Sequence, residues 1–246
     1  TFDGAGRLTH SAYSTGEAFA YQYDAAGNRT VVTGTTPVSG TVVTTNSYDA
    51  ANRLTARSRS DGRTYTYDWS QRGQLLTEWT QGYPVRAFTY DGAGQMIEAR
   101  VFTQTTEFVY NGLGARLAVD VVGQGTTTYA LDYAAGNVQK PGGLLPSRKA
   151  VGFSAHILAE TSLTETVLYL YGNDCLGEVR DAEPLYYLHD AEGYVRQGVD
   201  VQGDLTATWL FDPDGTVLEG PDGPVSHLVC GGVYDGSTGL IYKDGG

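Results

Sequence analysis

Four residues in the C-terminal half carry the side chains of a hydrolase triad. His189 is followed by Asp190, and Ser226 is followed by His227. Such residues catalyse hydrolysis only when geometry aligns a nucleophile, a base and an orienting carboxylate. Ser226 also lacks the Gly-x-Ser-x-Gly segment that presents a nucleophile in α/β-hydrolases. We therefore interpret His189 and Asp190 as a strand end and a turn, and predict that the chain is not an enzyme.

The candidates for metal binding are two aspartates and two cysteines. The segment Asp212-Pro213-Asp214-Gly215 lacks the alternating ligands and distal glutamate of an EF-hand loop, whereas turn chemistry explains it. Cys175 and Cys230 show neither Cys-x-x-Cys nor the Cys/His spacing of a zinc site. They are either two buried thiols or, in a secreted protein, a disulfide. We predict no metal site and no cofactor.

Glycine-rich and tryptophan-bearing segments raise two further ligand hypotheses. Gly4-Ala5-Gly6 and Gly92-Ala93-Gly94 lack the Lys-Ser/Thr pair and the helix of a phosphate-binding loop. Trp69, Trp79 and Trp209 have flat faces that stack on sugars, although the same faces pack into cores. Carbohydrate binding is therefore the main small-ligand hypothesis, and core packing is the favoured interpretation of these tryptophans.

Charge argues against nucleic acid as a partner, and hydropathy argues against a membrane-spanning segment. The formal net charge is -12, which argues against nonspecific nucleic-acid binding because a phosphate-binding face needs surplus Lys and Arg. The acidity is concentrated in residues 151–246, which hold 3 basic and 16 acidic residues. That region is a solvated acidic surface or faces a basic partner or cations. The most apolar run, Val167–Tyr171, is strand-length, so we expect no membrane-spanning segment.

A repeat of about 20 residues organises the first half of the chain. Its six units are Phe2-Asp3-Gly4-Ala5-Gly6, Tyr23-Asp24-Ala25-Ala26-Gly27, Tyr48-Asp49-Ala50-Ala51-Asn52, Tyr67-Asp68 with Gly73, Tyr90-Asp91-Gly92-Ala93-Gly94, and Tyr110-Asn111-Gly112-Leu113-Gly114. Their aromatic starts lie 21, 25, 19, 23 and 20 residues apart. This spacing is typical of a repeated supersecondary unit.

Each unit reads as a strand, a turn and a new strand. The aromatic residue suits a half-buried strand end, the Asp or Asn favours an Asx turn, and the glycine supplies positive φ. Alternation such as Thr64-Tyr65-Thr66-Tyr67 puts one face inward. With 33 glycines and 18 tyrosines, the composition also favours strands and turns. We predict an all-β chain in which stacked hairpins supply the core.

The repeat becomes irregular after residue 130. Pro141–Pro146 predicts a loop, and strand-like segments then return, among them Val167–Tyr171, Tyr186–His189 and Leu205–Phe211. We therefore predict regular repeats over 1–130 and variant repeats over 131–246, continuous with the first region.

The order of these motifs resembles the Rhs, or YD-repeat, family. After the six units come Tyr171-Gly172, Tyr187-Leu188-His189-Asp190 with Gly193, Phe211-Asp212-Pro213-Asp214-Gly215, and a segment from Gly231 to Tyr242. The last is similar to the segment that precedes the family's closing core motif. The resemblance assigns these core-like positions: Tyr187, His189, Asp190, Gly193, Asp212, Gly215, Tyr234, Asp235, Gly239 and Leu240.

The resemblance implies a β-sheet spiral that forms part of a hollow shell. In bacterial members, a secreted or cell-surface shell encloses or presents a C-terminal toxin or effector, which would be this chain's partner. In teneurin or wall-associated relatives, the same shell serves adhesion to surface proteins or glycans. The chain starts at Thr1 within a repeat, without a signal-peptide pattern. We therefore expect it to be an excerpt that stops before the family's self-cleavage aspartates.

Overall fold

The computed structural model describes residues 1–37, 39–133, 156–172, 175–190, 193–211, 213, 217–220 and 232–242. All regular secondary structure in these ranges is β-strand. No helix in the described part of the chain has the length and apolarity needed to cross a membrane. The chain forms two compact units: unit 1 comprises Thr1–Thr89 and Arg100–Phe102, and unit 2 comprises Tyr90–Ala99 and Thr103–Gly246.

The strands are short and closely spaced along the chain. In the first part they are β1 (His10–Ala12), β2 (Ala18–Tyr23), β3 (Arg29–Thr36), β4 (Gly40–Tyr48), β5 (Leu54–Arg59), β6 (Thr64–Trp69), β7 (Leu75–Thr80), β8 (Tyr83–Tyr90) and β9 (Met96–Val101). They continue with β10 (Gln104–Tyr110), β11 (Arg116–Val121), β12 (Gly125–Asp132), β13 (His156–Thr161), β14 (Thr166–Tyr171), β15 (Cys175–Arg180), β16 (Glu183–His189), β17 (Val195–Val199) and β18 (Leu205–Thr208). Four shorter strands follow: β19 (Leu210–Phe211), β20 (Val217–Glu219), β21 (Val233–Asp235) and β22 (Leu240–Tyr242).

In unit 1, consecutive strands pair antiparallel from β1 to β8. The reversals at the repeat motifs share one geometry, seen clearly between β2 and β3. The Gly27 N–H donates to the Asp24 carbonyl at 3.2 Å, and the Asp24 N–H donates to the Asn28 carbonyl at 3.0 Å. Gly27 has φ +92°, and the ladder shifts register at Gln22/Tyr23. This is a type I turn closed by a left-handed residue and a bulge.

Strands β10 to β13 of unit 2 also pair antiparallel in chain order, and so do strands β13 to β18. Two apolar clusters lie on this ladder. Ile157, Val167 and Tyr169 form one cluster on β13 and β14. The other consists of Tyr187, Val195, Trp209 and Phe211. Because side chains alternate across a strand, Val167 and Tyr169 are buried, whereas Leu168 and Leu170, which alternate with them, are exposed.

Two small hairpins accompany the ladder in unit 2. Strands β19 and β20 pair with each other, and so do β21 and β22. We call residues 232–242, which contain β21 and β22, the closing hairpin. Val233 of this hairpin packs against the Ile157 cluster, so the hairpin lies against the sheet face that carries the core.

The predicted fold class, an all-β YD-repeat sheet, is confirmed. One predicted strand differs: Leu205–Phe211 is divided into β18 and β19 at Trp209. The Trp209 N–H donates to the Arg196 carbonyl at 2.9 Å, its ring is buried, and the chain then pairs with β20. The predicted boundary at residue 130 stays a prediction, and the predicted loop Pro141–Pro146 lies outside the described residues.

Gly177 provides a test of how closely β15 and β16 pack. A Cβ at Gly177 would lie 2.3 Å from the Leu185 carbonyl oxygen, a backbone atom. One at Gly198 would lie 2.8 Å from the Leu185 Cδ1, a side-chain end that can rotate. We expect Gly177→Ala to lower the free energy of unfolding by about 1–3 kcal/mol through overpacking. In urea titrations of both variants, Gly198→Ala should lower the free energy of unfolding less than Gly177→Ala does. Equal losses would contradict the backbone clash.

Candidate functional site: the turn ladder and the docked closing hairpin

The first repeat turn shows what its aspartate does. Asp3 Oδ1 accepts the N–H groups of Ala5 and Arg7, both at 2.9 Å. Its Oδ2 accepts Arg7 Nε at 2.7 Å. The backbone hydrogen bond from Arg7, followed by the Arg7 side chain, lowers the pKa of Asp3 below its ordinary value. The carboxylate therefore remains charged and holds the turn.

The next two turns repeat this pattern. Asp24 Oδ1 and Oδ2 accept the Asn28 N–H and Nδ2 at 2.8 and 2.9 Å. Asp49 Oδ1 and Oδ2 accept the Arg53 N–H and Nε at 3.0 and 2.7 Å. The side chains of Asn28 and Arg53, respectively, are the main cause that lowers the pKa of each carboxyl. In the second half of the array, Asp91 Oδ1 accepts the Gln95 N–H at 2.9 Å.

The aromatic residue before each of several turns ties its unit to the preceding one. The Tyr23 hydroxyl donates to the Leu8 carbonyl at 2.6 Å, and the Tyr48 hydroxyl to the Arg29 carbonyl at 3.0 Å. The equivalent bonds run from Trp69 Nε1 to Leu54 at 2.7 Å and from the Tyr110 hydroxyl to Met96 at 2.9 Å. Each acceptor lies two residues beyond the left-handed position of the preceding turn. Each bond therefore satisfies a backbone carbonyl and fixes the spacing of neighbouring hairpins.

The residue after the left-handed position connects some turns in the opposite direction. Arg7 Nη1 donates to the Asp24 carbonyl at 3.0 Å, and the Arg7 guanidinium lies 4.7 Å from the Tyr23 ring centroid. Arg53 Nη1 likewise donates to the Ser70 carbonyl at 3.1 Å. Adjacent turns are therefore linked by both an aromatic side chain and an arginine.

The fourth unit is placed differently from the prediction. Tyr67 and Asp68 lie within β6, and Asp68 Oδ2 accepts Trp79 Nε1 at 2.7 Å. Ser70 takes the turn position, where its Oγ accepts the Gln74 N–H at 3.1 Å and its carbonyl accepts the Gly73 N–H at 3.1 Å. Counting three residues back from Gly73 would have found it, because the left-handed residue follows the turn aspartate by three positions in the other units.

The other predicted turn residues occupy the following places in the structure. Gly6, Gly73, Gly94 and Gly114 have positive φ, and Asn52 substitutes for glycine at φ +60°. Asn111 Oδ1 accepts the Leu113 and Ala115 N–H groups at 2.9 and 3.0 Å. Phe2 forms an isolated bridge with Leu8, while Tyr90 ends β8. Sequence reasoning missed the turn of the same kind at Asp200, whose glycine, Gly203, follows it by three residues.

The core-like residues on β16 and in the turn after it make contacts within the sheet and the turn. Asp190 Oδ1 accepts the Tyr194 N–H at 2.9 Å, and its Oδ2 accepts Arg196 Nε at 2.6 Å. Gly193 closes this turn with φ +88°. The buried Tyr187 hydroxyl donates to Glu178 Oε2 at 2.8 Å. Burial, followed by the Glu178 charge, raises the pKa of Tyr187.

The triad hypothesis gains no support from the described residues. Both oxygens of Asp190 bind turn and arginine donors, and the ring of His189 meets the Tyr187 ring edge-on at 6.4 Å between centroids. Ser226, His227, Asp212, Gly215 and Cys230 lie outside the described residues. Among the residues that the structure describes, no group of three or more His, Cys, Asp or Glu side chains is arranged to hold a metal.

The tryptophans and Cys175 are also part of the packing. Trp209 is buried, and the indole N–H groups of Trp69 and Trp79 donate within the sheet. Cys175 is a free thiol that packs against both apolar clusters of unit 2. Burial raises the pKa of this thiol to about 12, so it is protonated and unreactive at neutral pH.

The closing hairpin contains the remaining core-like residues, Tyr234, Asp235, Gly239 and Leu240. Asp235 Oδ1 accepts the Ser237 N–H at 3.0 Å and its Oγ–H at 2.6 Å. The Asp235 carbonyl accepts the Gly239 N–H at 2.8 Å, and Asp235 pairs with Leu240. One carboxylate oxygen therefore holds the turn while the other faces the sheet.

Asp235 Oδ2 faces a buried arginine that sequence reasoning did not single out. The oxygen lies 3.6 Å from Arg116 Nη1, and the two side chains are only 7% (Arg116) and 9% (Asp235) exposed. The guanidinium carbon lies 4.1, 4.4 and 5.9 Å from the ring centroids of Tyr242, Phe108 and Tyr110. The hairpin thus adds a carboxylate and one ring to an arginine that already contacts two rings of the sheet.

Polar contacts at the edges of this cluster fix the register of the docked hairpin. The Ser237 and Thr106 hydroxyls are 2.9 Å apart. The Tyr242 hydroxyl lies 3.3 Å from the donating Arg116 N–H and 3.4 Å from the accepting Gly114 carbonyl. These contacts attach the hairpin to β10, β11 and the turn between them, all within unit 2.

Comparison with known proteins agrees with this repeat geometry. A family model described as RHS Repeat matches residues 2–42, which span the first two turns and β1 to β3. The first part of this chain therefore resembles Rhs-repeat proteins. The chain is 29% identical over 254 residues to the tRNA3(Ser)-specific nuclease WapA of Bacillus spizizenii, covering 96% of this chain and 9% of WapA.

Two solved structures also align with this chain. One is TcdB2-TccC3 without its hypervariable C-terminal region, with 12% identity, a TM-score of 0.42, and coverage of 98% of this chain and 19% of that chain. The other is the Photorhabdus luminescens Tc holotoxin pore, with 13% identity, a TM-score of 0.34, and coverage of 99% of this chain and 19% of that chain. The chain therefore spans a small part of each of these relatives.

The aromatic bonds between units predict a specific loss of stability. Tyr23→Phe removes the hydroxyl that donates to the Leu8 carbonyl and leaves the ring in place. We expect the free energy of unfolding to fall by about 1 kcal/mol, measured by chemical denaturation. Tyr83, which is 74% exposed, gives a matched Tyr→Phe control that should change it little. Equal losses of unfolding free energy in the two variants would contradict a stabilising hydrogen bond from Tyr23 to Leu8.

The turn aspartates predict acid sensitivity. Because the pKa of Asp49 is lower in the folded chain than its ordinary value of 3.8, its stabilising contribution is complete above about pH 4 and is lost as pH falls through the folded pKa. Unfolding free energies measured from pH 7 to pH 2 should therefore fall less steeply below pH 4 in Asp49→Asn than in the wild type. Ser70→Ala, at a turn position without a titratable group, should lower stability at every pH and leave the slope unchanged. An unchanged slope in Asp49→Asn would count against the role of its carboxylate.

Proposed function

We propose that this chain is a noncatalytic wall segment of a larger Rhs-type protein that encloses or presents a C-terminal toxin or effector. The observation that carries the proposal is the turn ladder, by which we mean the repeat turns that begin at Asp3, Asp24, Asp49, Ser70, Asp91 and Asn111, together with the side-chain bonds between neighbouring turns. Its aspartates, arginines and aromatic side chains bond to neighbouring turns and carbonyls, as described for Asp3, Arg7 and Tyr23. These side chains are committed to building a sheet of connected hairpins, which is the property a wall requires.

An exposed apolar face in unit 2 supports a role in holding cargo. Leu168 and Leu170 lie on the face of β14 opposite the core, and Leu170 pairs with Gly177, which pairs in turn with Tyr186. Directly paired residues share a face, so Tyr186 and Leu188 belong to the same surface. The four side chains are 36–49% exposed. A contiguous apolar surface on a sheet is suited to contact with a polypeptide whose own apolar groups are exposed.

The name of the curated relative suggests one class of effector. WapA is named as a tRNA-specific nuclease, and the chain aligns with 9% of it. We propose that nuclease activity, where a parent protein has it, resides outside this chain, because the described turn carboxylates already hold structural bonds. The parent would act outside its cell, as a secreted or cell-surface protein. Incubation of the isolated chain with tRNA should give no cleavage; cleavage that survives purification would overturn the noncatalytic assignment.

Adhesion to glycans or surface proteins is the alternative function. The resemblance to teneurin or wall-associated proteins suggests it, and the tryptophans suggest the glycan-binding form. Of these, Trp209 is buried, and Trp69 and Trp79 donate their N–H groups within the sheet. Selective, saturable binding on a glycan array or in a surface-protein pull-down would favour this alternative over the wall role.

The wall role predicts protection of the parent's downstream segment. In the full-length parent, limited proteolysis should cut that segment more slowly than when it is expressed alone. Leu168→Glu with Leu188→Glu should raise the rate of digestion in the native parent, because the charged face no longer suits an apolar cargo. Leu163→Glu is the matched control, since Leu163 is 82% exposed in a turn. Equal digestion inside and outside the parent would refute enclosure.

A further inference from the structure

The closing hairpin is attached to unit 2 mainly by side chains. Its strands β21 and β22 pair only with each other among the described strands, whereas β10 and β11 are joined to neighbours by backbone ladders. A two-stranded hairpin alone is marginally stable in water. Its folded state therefore depends on the patch of the sheet beneath it. We call this patch the receptor patch and define it by Thr106, Phe108, Tyr110 and Arg116.

The ion pair at the centre of the contact is imperfectly satisfied. Arg116 Nη1 and Asp235 Oδ2 are 3.6 Å apart in a buried setting. Neither atom makes a close, well-aligned hydrogen bond, and neither does Arg116 Nε. The Tyr129 hydroxyl of β12 also interacts with the Arg116 side chain, so the guanidinium keeps a polar neighbour on the sheet. Removing both charges from water is costly, and the cost is recovered fully only with close contacts and complete hydrogen bonding. When the hairpin lifts, water can hydrate both groups, which offsets part of the attraction lost.

Apolar contacts favour the docked state. Val233 packs against the Ile157 cluster. The Tyr242 ring lies over the Arg116 guanidinium at 4.1 Å and beside the Tyr110 ring, with centroids 6.3 Å apart. Docking is thus driven by a few side chains and opposed by desolvation of a loosely joined ion pair. Elements with such a balance open locally at a lower free energy than the whole domain.

The contacts that organise the receptor patch do not involve the hairpin. Strands β10 and β11 pair through their backbones, and the Asn111 turn between them has its own hydrogen bonds. Arg116 contacts the Phe108 ring of the same sheet, with the guanidinium carbon 4.4 Å from the ring centroid. Undocking therefore does not require the ladder to unfold.

We propose that residues 232–242 form a releasable latch, held by apolar contacts around the buried Arg116–Asp235 pair, which opens as a unit while the β10–β12 ladder stays folded. Arg116 is the positioning residue on the sheet, and Asp235 both holds the hairpin turn and faces the arginine. This inference does not depend on the proposed wall function, because it concerns the described chain alone.

Hydrogen exchange on the full chain tests the latch. Backbone amides of residues 233–242 should exchange at least about 10-fold faster than hydrogen-bonded amides of residues 117–120 and 31–34, which report ladder opening. In Arg116→Met, which leaves the Asp235 carboxylate buried without its partner, hairpin exchange should accelerate by about 100-fold with ladder rates unchanged. Asp235→Asn should act in the same direction. The double variant should exchange more slowly than Arg116→Met, because no uncompensated charge remains.

The matched control is Arg180→Met, which removes another ion-paired arginine of unit 2 and should leave hairpin exchange unchanged. The latch is overturned when hairpin and ladder amides exchange at one common rate in the wild type, since the hairpin then opens only with global unfolding. It is also overturned when Arg116→Met or Asp235→Asn accelerates both sets in parallel. If Arg116→Met fails to fold, Asp235→Asn and the wild-type rates still decide between these outcomes.

Discussion

The repeated chain reversal is the constraint on which the rest of this structure depends. Each repeat turn needs a left-handed residue three positions after an aspartate, asparagine or serine, as Gly27 follows Asp24. This residue closes a bulged turn that matches the twist of the flanking strands. The side chain at the first position binds the turn's own N–H groups, so a reversal needs no help from distant residues. A long antiparallel meander can therefore be built from short, independently specified pieces.

Hairpins specified one by one still need a fixed spacing relative to each other. The bulge at the turn gives the preceding aromatic residue its position, and its hydroxyl or indole N–H reaches a carbonyl of the previous unit, as Tyr48 reaches Arg29. The same aromatic thus contributes apolar area, satisfies a backbone acceptor and sets the inter-turn distance. Arg7 and Arg53 reach the next turn from the other direction. The result, in the described repeats, is a series of hairpins joined by hydrogen bonds between neighbouring turns.

The closing hairpin differs from the repeat turns in what its aspartate contacts. Its turn uses the aspartate as the repeat turns do, yet the second carboxylate oxygen points at Arg116 rather than at a local donor. A local motif has here been adapted to make a tertiary contact between distant parts of unit 2. Because that contact buries charge, its strength depends on hydration and neighbouring rings far more than the repeat turns do.

The sequence alone determined the all-β class and most turn positions, because alternation, Asx residues and left-handed glycines act within five or six residues. The position of the fourth turn is also present in the sequence, because Ser70 stands three residues before Gly73. Two other features depend on the tertiary structure. Trp209 divides a predicted strand because its ring is buried and its N–H binds Arg196. Arg116 meets Asp235 because packing brings together residues whose separation along the chain carries no periodic signal. Strands and turns can be predicted from a sequence because they depend on residues close together in the chain. The burial of a charge depends instead on which surfaces pack against each other.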